Sequence, residues 1–147
     1  MKRVNYLLLL STIFLSITAF INQQEEPWRQ DQLMEPKDLA AIINNPSAEQ
    51  PLIICVGPAG LIKNAVNIGA ASKKENLDSF KELLSKEKKD RAIVIYCGCC
   101  PFKNCPNIRP AFTLMNKMKF TNQKLLNLSH NLKADWIDHG YPMTPRQ

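Results

Sequence analysis

AIVIYCGCCPFKNCPNIRP, Ala92–Pro110, sets a short apolar run directly against a loop that holds four of the chain's five cysteines. A continuous run of this length, rich in β-branched residues, predicts a strand buried on both faces, as in a parallel sheet. Beyond the loop, Ala111, Leu114, Met115 and Met118 recur at helical spacing. The stretch therefore reads as strand, cysteine loop and helix, with Cys97 as the last strand residue. In an open parallel sheet, working groups collect where strands end and helices begin.

The flanking sequence repeats this alternation. PLIICVG, Pro51–Gly57, is a second buried strand that runs into the turn GPAG, and Val66 and Ile68 mark a short third. In NLDSFKELLSKEKK, Leu77, Phe80, Leu83 and Leu84 fall at helical spacing, with Asn76 or Asp78 expected at the cap. Upstream, EPKDLAAIINN is a short helix that starts at Pro36 and places Leu39, Ala40, Ile42 and Ile43 on its apolar side. Downstream, Lys124–Leu128 is a strand. NLKADWIDHG is a last helix, with Leu132, Trp136 and Ile137 inward and Gly140 as its stop. Strands separated by helices predict a three-layer α/β domain, its sheet mostly parallel and covered by helices on both faces.

At 147 residues, with 45% hydrophobic and 22% charged content, the chain is sized for one domain with a real core, which excludes a disulfide-scaffold miniprotein. Lys2 and Arg3, followed by an apolar run from Tyr6 to Ile21, read as a secretory signal over 1–19 ending near Ala19, with an uncleaved membrane anchor as the alternative. Residues 20–32 read as a polar tether and 33–147 as the domain. An exported protein, periplasmic or secreted, meets an oxidising compartment that permits disulfides, and an odd cysteine count leaves at least one unpaired. The net charge of +6 is mild. KEKKDR, Lys86–Arg91, lacks interleaved aromatic residues and reads as a solvated helix end, so no nucleic-acid partner is expected.

Three segments resemble a rhodanese, or sulfurtransferase, domain. PLIICVGPAGLIKNAVNIGA resembles the family's first core strand, turn and "G-H-I-x-G-A-x-N-I" segment. IVIYC resembles the strand that ends in its nucleophilic cysteine. FTNQKLLNLSHNLKADWIDHGYPM resembles its tail through Phe120, Asn122, Leu126, Trp136, Gly140, Tyr141 and Pro142. The sequence departs from the pattern in CVGPAG, which lacks the family's Asp and Arg, and at Leu61, which replaces a His. Ser129 and His130 stand in place of a glycine pair, and the loop after Cys97 is longer.

The resemblance implies a five-stranded rhodanese-like sheet and transfer of a sulfane sulfur through a Cys97 persulfide. The donor would be a small sulfur compound such as thiosulfate, and the acceptor cyanide, a thiol or a protein thiol, with no metal or organic cofactor. Gly98, Cys99, Cys100, Lys103, Cys105 and Arg109 would form the active-site loop, with Lys103 and Arg109 as its nearest cations. Cys100 and Cys105, each followed by Pro, are the candidate disulfide. Cys99 is a candidate resolving thiol, and Cys55 a buried strand residue without chemistry.

Other readings stay open. Cys97-Gly98-Cys99-Cys100 spells C-G-x-C, a pattern of thiol–disulfide exchange. Cys97, Cys99, Cys100 and Cys105 are also four thiolates for a soft metal, though not at the two-separated-pairs spacing of structural zinc. A non-catalytic rhodanese-like domain is a further reading. His130, His139, Trp136 and Tyr141 read as structural.

Overall fold

The computed structural model describes residues 25–145. The expected signal segment lies outside the described residues. Among those residues, no helix is long and apolar enough to cross a membrane.

The elements run β1 (Leu33–Met34), α1 (Pro36–Asn44), β2 (Leu52–Cys55), β3 (Val66–Asn67), α2 (Lys74–Ser85), β4 (Ile93–Tyr96), α3 (Ile108–Lys117) and β5 (Gln123–Leu126), followed by a π-helical turn, Lys133–Ile137. The five strands form one all-parallel sheet in the order β1-β5-β4-β2-β3. The expected α/β sheet is present, and every strand pair in it is parallel.

Side chains alternate between two cores, as the two-residue period of a strand requires. Ile54, Val56, Ile93, Ile95 and Cys97 face one layer, with Phe80 and Leu84 of α2 and Ala111, Phe112 and Met115 of α3. Ile53, Cys55, Val94 and Tyr96 face the other, with Leu39, Ala40 and Ile43 of α1 and with Leu132 and Trp136. Both faces of β4 are thus sealed, which is why its sequence is uninterrupted apolar. Ile93, Val94, Ile95 and Tyr96 are at most 1% exposed.

β1 is not among the expected strands, and four further details differ from the sequence reading. β4 ends at Tyr96, so Cys97 is the first residue beyond the strand. α2 starts at Lys74, and Asn76 lies within it, donating from Nδ2 to the Ala70 carbonyl at 3.0 Å instead of capping. The last helix is a π-helical turn. Its wider winding carries Trp136 into the core but leaves Ile137 44% exposed. Trp28, read as part of a tether, is buried, edge-on to Phe102 at 5.8 Å and to Phe112 at 5.9 Å between ring centroids. Trp28→Ala is expected to lower the unfolding free energy by about 3 kcal/mol, the scale of a large aromatic truncation; urea denaturation measures it.

Candidate active site

β2 and β4 are neighbours in the sheet, but the chain leaves them in opposite directions, β2 towards β3 and β4 through α3 towards β5. Such a switch point opens a crevice beyond the carboxyl ends of the two strands. Cys97 sits there. The Val56 N–H donates to the Tyr96 carbonyl at 2.8 Å, extending the ladder one step and setting Gly57 beside Cys97. A Cβ on Gly57 would lie 2.2 Å from Cys97 Sγ, so only glycine lets the backbone form this wall.

The loop then reverses sharply. Gly98 has φ +79°, a conformation that L side chains rarely adopt, and a Cβ there would meet Leu132 at 2.8 Å and Ala59 at 2.9 Å. Its carbonyl accepts from the Leu132 N–H at 2.9 Å, and the Phe102 N–H donates to the Leu128 carbonyl at 3.1 Å, fastening the loop to the segment after β5. A 3-10 turn, Phe102–Asn104, brings Cys105 back to the strand end.

The sulfurs of Cys97, Cys99 and Cys105 all lie within 4.8 Å of one another. Cys97 and Cys105 are buried and Cys99 is exposed. Cys97 Sγ is 3.2 Å from Cys99 Sγ, and Cys99 Sγ is 3.4 Å from Cys100 Sγ. All five cysteines are free thiols, so the expected Cys100–Cys105 bridge is not made; Cys105 is instead turned inward beside Cys97. The four-thiolate metal set is not assembled either. Three sulfurs converge without Cys100, one short of the closed tetrahedral shell of structural zinc.

Asn107, which the sequence reading did not single out, completes the site. It is 4% exposed and stands immediately before α3. Its Oδ1 accepts from the Ser72 N–H at 3.0 Å, and its Nδ2 donates to Cys97 Sγ at 3.3 Å. An Asn ahead of a helix ordinarily signals a cap; here the amide caps nothing and spans from the loop before α2 to the sulfur.

These donors hold the Cys97 thiol down at about 5. The Cys105 S–H leads, working against burial, joined by the Cys99 backbone N–H, the Asn107 amide and the Cys99 thiol. Cys105 is pushed well above the ordinary thiol range by the proton it gives to Cys97 and by its burial. Desolvation, together with the contact to Cys97, pushes Cys99 up to about 12. The arrangement is thus one thiolate held by two thiols.

The direction of the Cys97 shift fixes a pH dependence. The thiolate is present above pH about 5 and is lost as the pH falls through that value, whereas an ordinary free cysteine titrates near about 8.5. Thiolate ultraviolet absorbance that disappears in Cys97→Ser should show this midpoint. Asn107→Ala should raise it by roughly 1–2 pH units, because a hydrogen bond to a charged group contributes about 1.5–3 kcal/mol.

The two expected cations have different surroundings. Lys103 is exposed on the 3-10 turn. The Arg109 guanidinium donates to Glu26 Oε1 at 2.9 Å and to the Lys103 carbonyl at 3.4 Å and lies 5.4 Å from the centre of the Trp28 ring, linking the N-terminal segment to the loop. Ile62, Tyr96 and Trp136 meet in the core on the opposite face of the sheet from Cys97. Tyr96 OH accepts from the Ile62 N–H at 2.9 Å and donates to the Gly60 carbonyl at 3.1 Å. Pro142 accepts from Lys63 N–H and from Trp136 Nε1, both at 3.1 Å. His130 pairs with Asp135 at 2.9 Å, and His139 stacks on Tyr141. No protein-family model and no curated protein matches the chain.

Proposed function

We propose that this chain is a sulfurtransferase of the rhodanese type, carrying a sulfane sulfur on Cys97. One observation carries the reading: at the end of the central strand, Cys97 Sγ is backed by Gly57 and faced by the Asn107 amide, with the Cys105 sulfur within 4.8 Å. Such a nest of donors favours an anionic sulfur, first as thiolate and then as persulfide.

In the first step the Cys97 thiolate attacks the outer sulfur of thiosulfate. A bond forms between Sγ and that sulfur, the bond to the sulfonate sulfur breaks, and sulfite leaves with the electron pair. In the second step an acceptor such as cyanide takes the outer sulfur and Cys97 returns as thiolate. Because Cys97 is only 2% exposed, a donor whose terminal sulfur projects on a narrow stem suits it best.

The test adds thiosulfate to the reduced protein. A burst of one sulfite per chain, and thiocyanate when cyanide is in excess, is the expected result. The 3.2 Å contact between Cys97 and Cys99 favours a second reading, plain thiol–disulfide exchange. That activity would reduce a small disulfide but release no sulfite from thiosulfate, and such an outcome would replace the first reading.

A further inference from the structure

We infer that the acceptor for the Cys97 sulfur is built into the loop: Cys99 displaces it as sulfide by closing a Cys97–Cys99 disulfide, which an external dithiol then reopens. This rests on the sulfurtransferase reading and assigns that activity its product and the class of its partner.

The geometry points to Cys99 rather than to Cys105. Cys99 Sγ rests 3.2 Å from Cys97 Sγ, the inner sulfur of a Cys97 persulfide, and reacting atoms held about 3–3.5 Å apart approximate a near-attack arrangement. Cys105 is 1% exposed, and its sulfur stands only within 4.8 Å of Cys97 Sγ. A carrier meant to keep its sulfur for a distant acceptor would be poorly served by a second thiol in contact with it.

The step balances without an oxidant. The Cys99 sulfur bonds to Cys97 Sγ, the bond from Sγ to the outer sulfur breaks, and that sulfur leaves as hydrosulfide carrying the Cys99 proton. Over both steps thiosulfate becomes sulfite and sulfide, and the two electrons come from the Cys97–Cys99 pair.

The disulfide must then be reduced. Cys99 is the exposed partner, open to attack by a dithiol, and the displaced Cys97 is the better leaving group because its thiolate is the stabilised one. The cycle thus consumes an exported or soluble dithiol reductant and produces sulfide.

The experiment adds thiosulfate to the full, reduced chain with no other thiol, then measures sulfite, sulfide and intact mass. One sulfite and one sulfide per chain, with loss of two hydrogens mapped to a Cys97–Cys99 disulfide, is expected, and dithiothreitol should make sulfide release catalytic. Cys99→Ser should still release sulfite, gain the mass of one sulfur on Cys97 and lose sulfide release roughly 100-fold or more. Sulfite with a lasting persulfide on the unaltered chain overturns the internal acceptor and leaves sulfur transfer standing. Absence of sulfite overturns both. A Cys97–Cys105 disulfide that still forms in Cys99→Ser at the unaltered rate overturns the assignment to Cys99.

Discussion

Cys97→Ser should eliminate both the sulfite burst and thiocyanate formation, leaving only the background of thiosulfate and cyanide in buffer. A serine hydroxyl fits the space of the thiol and accepts the same hydrogen bond from the Asn107 amide. It is not ionised at neutral pH and cannot hold a sulfane sulfur. The fold should be unaffected, because the change is one atom in a position already lined by donors. Circular dichroism and urea denaturation close to those of the unaltered chain would separate lost chemistry from lost structure. Thiocyanate production that survives in this variant would refute Cys97 as the sulfur carrier.

Gly57→Ala should be nearly as damaging without touching a reactive atom. Its methyl would stand 2.2 Å from Cys97 Sγ and 2.9 Å from the Cys97 carbonyl oxygen, both far inside contact distance. Relief requires the sulfur to move out of its nest or the β2 turn to back away from β4. A displacement of about 1 Å at a reacting centre costs on the order of 100-fold in rate, and overpacking of this kind destabilises by about 1–3 kcal/mol. The expected outcome is a folded protein whose sulfite burst is slowed roughly 100-fold and whose thiolate titrates at higher pH, because the sulfur no longer meets the Asn107 amide. An unchanged burst would show that the wall at Gly57 does not position the sulfur.

β2 and β4 were legible because their burial is extreme, whereas β1, two half-buried residues that pair with β5, gives no such run. Ile93–Tyr96 and Leu52–Cys55 are apolar on both faces, so the runs themselves announce a sheet covered on two sides. Cys97 was legible for a related reason, since a cysteine where such a run stops falls at the carboxyl edge of the sheet. What escaped depends on contacts between distant residues. Asn107 reaches Cys97 and Ser72 from the start of another element, and no local spacing encodes that. Trp28 is a single apolar residue in a polar stretch, and its place between Phe102 and Phe112 follows from tertiary packing alone. The Cys100–Cys105 pairing, suggested by the prolines, fails because the 3-10 turn between them turns Cys105 inward to the strand end. A 3.6-residue period predicts Ile137 inward, and a π-helical turn does not keep that period.

The Cys97 nest draws on three separate stretches of chain: the turn after β2 through Gly57, the loop after β4, and the segment after β5 through Leu128 and Leu132. These stretches are far apart in sequence and meet only once β4 has β2 on one side and β5 on the other. An acidic thiol here is therefore a property of the closed sheet, not of the C-G-C-C tetrapeptide. A synthetic peptide of the loop should titrate as an ordinary mixture of thiols. During refolding the reactive sulfur should emerge late, together with the long-range strand pairing that limits the folding rate of such topologies. Rapid mixing with a thiolate-selective reagent would thus time the completion of the whole domain from a single atom.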